Sequence, residues 1–297
     1  MLILKNIFST IEVLNLNLEQ FDMIEKIIKK IKSLPPLPES IQKVKEICNN
    51  PEGTKKELIP VVKQDPMFTA DILKAANSPL YGFSKQITSI DQAVSLFGMG
   101  TIQGFAVSYA MRKSFPINLS PYGISSNSFM NISTTQNTLT NAWGKPQVSV
   151  HNAEMVTLSL LMELGKMIAV IVLTEENKAE IFQEAILKSK TFEEILNIEK
   201  EFLSISSEAI VALMFKHWKF NETMIEIVEY ITEPEKADET IKKNAQILRV
   251  VKEVMPITAP FSDKSIQVAN EKAEEYGLNS KTLQDEIEFI KHRFKAN

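Results

Sequence analysis

Residues 158–173 read LSLLMELGKMIAVIVL, the most apolar stretch of this 297-residue chain. At 3.6 residues per turn, Ser159, Glu163 and Lys166 fall on one narrow stripe of a helix, and the other faces are aliphatic or Met. Such a helix is predicted to be buried, because apolar surface covers almost its whole circumference. Glu163 and Lys166 would each cost about 2.5–3.5 kcal/mol at a bilayer centre, so the stretch is a poor membrane span. We predict the central helix of a soluble helical core.

The composition is that of a globular protein rich in helix-forming residues. Hydrophobic residues make up 44% and charged residues 24%, with nine glycines, and no strand-like alternation persists, so we predict an all-α fold. The formal charge of −4 argues against nucleic acid and membrane surfaces as partners. The single cysteine, Cys48, fits a reducing compartment, and Lys5 and Glu12 interrupt the apolar N-terminus, so we predict a cytoplasmic protein without a signal peptide or membrane insertion.

Prolines and capping residues mark the helix boundaries. Pro35 cannot continue a helix, and Pro38 fits the first position of the next one. Asp65 can cap a helix that Pro66 begins. Between these signals and the central stretch, a helix over about 126–143 is expected to have one apolar face and one uncharged polar face.

The residues alone mark no enzyme. Only three histidines are present, His151, His217 and His292, without the spacing of a metal site, and the HExxH, P-loop and GxGxxG patterns are absent. Glu163 is the carboxylate most expected to be buried, and Lys166 is its local partner. A structural ion pair is favoured there over acid–base catalysis.

Three segments together resemble the opening of an HDOD domain, the HD-related output domain of bacterial signalling proteins. They read LPPLPES (34–40), KQDPMFTADILKAANSPLYG (63–82) and ITSIDQAVSLFGM (87–99). We interpret the positions that carry the resemblance as structural; they are Leu34, Pro35, Pro38, Asp65, Pro66, Asn77, Ser78, Ser89, Ala93, Gly98, Gly165 and Trp218.

The resemblance implies an HD-like multi-helical bundle with a C-terminal helical extension packed on it. The implied organisation is an N-terminal segment over 1–19, an HDOD domain over 20–235 and a C-terminal helical subdomain over 236–297. Without a recognisable receiver or cyclic-di-GMP domain, the chain is similar to a stand-alone member of the family.

The residues that name metal-dependent HD phosphohydrolases are replaced in this chain. Family members often carry a run resembling GLLHDIGK, which corresponds to residues 159–166 here, and further histidines follow. The positions of the replaced residues are Met162, Glu163, Ser207, Ile231 and Thr232. Since a thioether, hydroxyl or alkyl group cannot replace imidazole as a metal ligand, the resemblance predicts no metal, no cofactor and no HD-type hydrolysis.

Three functions are left open, in decreasing order of preference. The first is a non-catalytic signalling output or adaptor that acts through a protein partner. The second is a sensor that binds a nucleotide or other small polar ligand in the vestigial HD pocket, predicted to be lined by Asn131, Ser133, Gln136, Asn137, Ser159 and Glu163. The third is a residual metal-dependent phosphohydrolase.

Overall fold

The computed structural model describes residues 17–83, 85–114 and 118–294, and most of the predicted N-terminal segment lies outside these ranges. Within them the chain is an all-α, HD-like bundle. Its helices are α1 (Leu18–Lys32), α2 (Glu39–Asn49), α3 (Lys55–Lys63), α4 (Pro66–Ala76), α5 (Ile90–Ser114), α6 (Ser126–Leu139), α7 (Asn152–Leu161), α8 (Gly165–Glu175), α9 (Ala179–Ile186), α10 (Phe192–Leu203), α11 (Ser207–His217), α12 (Glu222–Glu229), α13 (Glu239–Val254), α14 (Asp263–Glu275) and α15 (Ser280–Phe294).

The central stretch is buried, as predicted, but it is not one regular helix. Helix α7 ends at Leu161 and α8 begins at Gly165, with a tight turn between them. In this turn the backbone amide of Leu164 donates to the backbone oxygen of Leu161 at 2.9 Å. The backbone amide of Lys166 likewise donates to the backbone oxygen of Glu163 at 3.1 Å. These i→i+3 hydrogen bonds are of the 3₁₀ type, which is tighter than an α-helix. The prediction of a continuous helix is therefore wrong at the residues around Glu163.

Gly165 allows the start of α8 to pack against the backbone of α11. A Cβ atom at this position would lie 2.0 Å from the backbone oxygen of Ser207. No side chain fits at that distance without moving one of the two helices. The segment Asn152–Glu175 is long and apolar enough to span a membrane by length and composition, yet 94% of its apolar window is buried in the protein. It is a core segment here, and the cytoplasmic location stays a prediction.

The capping signals at Asp65 and Pro66 predict the start of α4 correctly, whereas Pro38, predicted as the first residue of α2, lies one residue before it, since α2 begins at Glu39. Asp65 accepts hydrogen bonds from the amides of Met67 and Phe68, so it caps α4 while Pro66 occupies the first turn. Gly98 divides α5 with a sharp kink, where it adopts a φ of 76°. The polar helix expected over 126–143 is α6, which continues as a π-helical turn to Gly144.

The residues that carry the family resemblance hold loops to helices. The Asn77 side chain donates to the backbone oxygen of Ile87 at 2.8 Å and accepts from its amide at 2.9 Å, which closes the loop between α4 and α5. The Trp218 indole donates to the oxygen of Pro35 at 3.1 Å, which fastens the proline-rich linker to the end of α11. Their structural interpretation fits these contacts.

Candidate functional site

A buried network of charged side chains occupies the position that corresponds to the HD motif. Five elements supply it: the turn before α8, α8 itself, α10, α11 and α13. Its charged members are Glu163, Lys166, Glu199, Glu208 and Lys252, each with a side chain at most 3% exposed. We call these five residues, together with Ser207, the buried charge network. A charge with so little access to water needs partners at hydrogen-bonding distance.

Lys252 of α13 bridges two carboxylates of the network. Its Nζ lies 2.5 Å from Oε1 of Glu163 and 2.8 Å from Oε1 of Glu208. The ammonium also lies 4.8 Å from the centre of the Phe192 ring. The ring and the two carboxylates surround the ammonium with favourable electrostatic partners.

Lys166 of α8 makes a second bridge. Its Nζ lies 2.9 Å from Oε2 of Glu163 and 3.0 Å from Oε1 of Glu199. It also donates to the Ser207 hydroxyl at 2.7 Å. Glu163 therefore contacts both ammonium groups, which places it at the centre of the network. The local pairing of Glu163 with Lys166 was predicted; Lys252 and Glu199 were not.

Neutral groups donate further hydrogen bonds to two of the buried carboxylates, in place of water. The Tyr122 hydroxyl donates to Oε1 of Glu199 at 2.9 Å, and the amide of Ser207 donates to Oε2 at 2.9 Å. The Gln136 side-chain amide donates to Glu163 at 2.9 Å. These bonds offset part of the cost of removing the two carboxylates from water.

The network shifts the pKa values of its own members. Burial alone raises the pKa of Glu163, but the ammonium groups of Lys166 and Lys252 outweigh it and hold this pKa at about 2. For Lys166, burial lowers the pKa, while Glu163 and the other carboxylates raise it well above its usual value. Burial and the charge of Glu199 raise the pKa of Tyr122. The pKa of Glu208 is also lowered, because Lys252 and Lys166 outweigh the effect of burial. Glu163 and Glu208 are therefore poor proton acceptors.

The residues of this network do not fit a divalent metal. The position of the first HD ligand holds the thioether of Met162, which is fully buried. The carboxylate of Glu163 already receives two ammonium groups. In the described part of the chain, no three His, Cys, Asp or Glu side chains are placed to hold a metal together. A metal would have to displace both lysines from a fully desolvated site.

The remaining two vestigial positions are Ile231 and Thr232. Thr232 lies at a separate ion cluster, and Ile231 lies in the apolar core. The backbone oxygen of Thr232 accepts a hydrogen bond from Arg249 at 3.0 Å. Arg249 also pairs with Glu253 at 3.0 Å and contacts Glu193. Ile231 is fully buried in the apolar core. These two positions thus contribute a backbone acceptor and a core side chain.

Most of the residues predicted to line a ligand pocket are used inside the core. Gln136 and Glu163 bond to each other, and Asn137 donates to the Ser159 hydroxyl at 3.1 Å and to the oxygen of Val156. Ser133 is 2% exposed, and Asn131 is half-buried. The structure thus brings four of these residues together as two bonded pairs, which join α6 to α7 and to the turn that follows it, and ligand binding there stays a prediction.

Sequence reasoning missed Lys252, Glu199 and Glu208. The run around Lys252, LRVVKEVM (248–255), places this lysine beside Arg249 and Glu253 at helical spacing, which is typical of a solvated helix face and does not signal a buried lysine. Pairing it with Glu163 requires knowing that α13 packs beside α7, which no local pattern reveals. The two residues are 89 positions apart.

Solved structures share this fold. A virulence factor from Campylobacter jejuni subsp. jejuni is 26% identical, with a TM-score of 0.54 over 93% of this chain and 96% of its own. A candidate phosphohydrolase from Shewanella amazonensis SB2B is 19% identical, with a TM-score of 0.64 over 91% and 95%. A candidate signal transduction protein from Marinobacter aquaeolei VT8 is 20% identical, with a TM-score of 0.66 over 93% and 63%. The last two likenesses indicate the fold alone.

Sequence comparison places the chain in a family. An uncharacterized protein of Treponema pallidum (strain Nichols) is 27% identical over 82 residues, which span 28% of this chain and 16% of that protein's length. The profile of the HDOD domain matches residues 34–234, more than half of the chain. Together with the helical bundle and the side chains that close its loops, this match is decisive: the chain belongs to the HDOD domain family.

Proposed function

We propose that the protein is a non-enzymatic regulatory module that acts through contacts with a protein partner. The observation that carries this proposal is the placement of two ammonium groups, of Lys166 and Lys252, among three buried carboxylates at the HD position. Each ammonium takes the electrostatic role that a divalent cation has in an HD hydrolase. The family and its signalling relatives are compatible with a regulatory role.

Two chemical arguments support the absence of hydrolysis. A lysine ammonium cannot lower the pKa of a bound water or polarise a phosphoryl oxygen as a metal ion does. Glu163, with a pKa of about 2, is also too weak a base to activate water near neutral pH. The site is moreover closed to substrate, since its charged side chains are at most 3% exposed.

Turnover by the full-length protein tests this proposal. Bis-p-nitrophenyl phosphate, nucleotides and cyclic di-GMP are incubated with the protein and with Mn²⁺ or Fe²⁺. We expect rates equal to the protein-free background. Metal-dependent turnover that Glu163→Gln abolishes, in a variant that circular dichroism shows to be folded, would overturn the proposal.

One observation favours a small-ligand sensor as the second candidate. The Ser133 hydroxyl and the side-chain oxygen of Gln136 are buried and form no hydrogen bond within the described residues. Buried polar atoms of this kind call for an explanation, and a polar ligand is one. A thermal-shift screen with nucleotides tests it, because a ligand of the folded state raises the melting temperature. A saturable rise that Gln136→Leu removes would support the sensor, and no rise with any nucleotide would reject it.

A further inference from the structure

We propose that a basic groove formed by three separate parts of the chain docks an acidic segment of the partner protein. The groove has a volume of about 590 Å³, and its defining residues are Lys190, Pro260, Phe261, Lys264, Lys291 and Phe294. It lies among the loop before α10, the turn between α13 and α14, and the last turn of α15. This inference rests on the proposed adaptor function and names the surface and the partner's chemistry.

The charge of the groove selects an acidic partner. Lys264 is held by Glu194 at 2.5 Å, while Lys190 and Lys291 form no ion pair with any described residue. Asp263 is the one carboxylate among the lining residues. The groove is therefore a basic site on a protein whose formal charge is −4. The two ammonium groups without ion-pair partners, on the loop before α10 and on α15, complement carboxylates of a docked segment.

The apolar part of the groove adds an anchor. Phe261 is 6% exposed, and its ring packs edge-on against Phe294 with 5.4 Å between ring centres. The amide of Phe261 donates to the oxygen of Val254 at 3.1 Å, so the turn is fixed to the end of α13. The ring of Phe261 is itself buried, so the half-buried Pro260 and Phe294 offer the apolar contact to a side chain of the docked segment. The structure thus fits an acidic segment with one or two apolar residues, bound weakly and reversibly, as a small interface implies.

Fluorescence anisotropy tests the proposal with the full-length protein. The probe is a short fluorescein-labelled peptide of Asp and Glu residues with a central Leu–Phe pair. We expect saturable binding that weakens as salt rises, because exposed charges are screened. The double variant K190E/K291E should bind at least about tenfold more weakly, since it replaces two attractions with two repulsions.

A matched control separates this site from overall charge. The variant K29E/K32E changes the net charge equally at two exposed positions of α1 that form no ion pair with any described residue and do not line the groove. It should bind the peptide as the unmodified protein does. Equal binding by K190E/K291E, equal loss in both variants, or no saturable binding to the unmodified protein would overturn the proposal. None of these results would be evidence for hydrolysis. The groove can therefore be rejected while the proposed adaptor function stands.

Discussion

Glu163 shows how one carboxylate can be kept charged in a dry interior. Two ammonium groups and one amide replace its hydration, and removing its charge leaves both lysines with fewer partners. Breaking one partner of a buried pair costs about 3–5 kcal/mol, because the other charge stays buried without compensation. The residue therefore stabilises the fold only while its partners are in place.

A double-mutant cycle tests this coupling. Glu163→Gln alone and Lys252→Met alone are each expected to lower the free energy of unfolding by roughly 3–5 kcal/mol. The double variant should lose less than the sum of the two, since each change removes the charge that the other leaves unpaired. Urea unfolding measures all three values.

The exposed pair of Lys264 and Glu194 serves as the control for that cycle. Its side chains are 53% and 39% exposed. Lys264→Met should therefore cost less than about 1 kcal/mol. Additive losses at Glu163 and Lys252, or losses no larger than at Lys264, would show that the buried charges do not act together.

The lowered pKa of Glu163 predicts a specific dependence on pH. Its pKa falls from 4.5 to about 2 in the folded protein, so the folded state binds this proton less readily than the unfolded chain does. Its contribution to stability is complete above the unfolded value and is lost as the pH falls from 4.5 towards 2. Urea unfolding across this range should show a steeper loss in the unmodified protein than in Glu163→Gln. Identical slopes would contradict the shift.

At the scale of helices, the contact between α8 and α11 depends on a missing side chain. Gly165→Ala places a Cβ 2.0 Å from a backbone oxygen, which cannot turn aside. We expect a loss of about 1–3 kcal/mol from this overpacking. Gly104→Ala is the comparison, because its added Cβ would meet side-chain atoms of Leu160 at 2.7 and 2.9 Å, while the nearest backbone oxygen, of Thr157, lies farther away at 3.3 Å. A smaller loss at Gly165 than at Gly104 in thermal unfolding would reject this explanation.

The elements also show what sequence patterns can reveal. Asp65 and Pro66 act within a few residues of themselves, so their signals predict the start of α4 correctly. The break before Gly165 escapes prediction, because the apolar run continues through it and the turn is fixed by packing against Ser207. The site divides in the same way: the Glu163–Lys166 pair is local, whereas Lys252 arrives from a helix 89 residues away.

For the whole molecule, the C-terminal helices complete the family domain. The HDOD match ends at residue 234, yet α13 beyond it supplies Lys252 and a set of fully buried side chains. These are Ile247, Leu248, Val250, Val251 and Val254, all at 0% exposure. The predicted boundary between 235 and 236 therefore divides one continuous core, although the two-part organisation itself stays a prediction.

A truncation tests this view of the C-terminal helices. A fragment of residues 1–235 loses the apolar face of α13 and exposes the carboxylates that Lys252 bridges. We expect it to aggregate or to unfold without a cooperative transition, as judged by circular dichroism and size-exclusion chromatography. A soluble fragment with a cooperative thermal transition would show that the HDOD domain folds without α13.

Calorimetric titration of Mn²⁺ into the full-length protein near neutral pH tests the central claim most directly, namely that lysine ammonium groups take the place of the metal. Because Lys166 and Lys252 already bridge the carboxylates, we predict no saturable heat of binding. Stoichiometric binding of Mn²⁺ that disappears in Glu163→Gln would contradict the account.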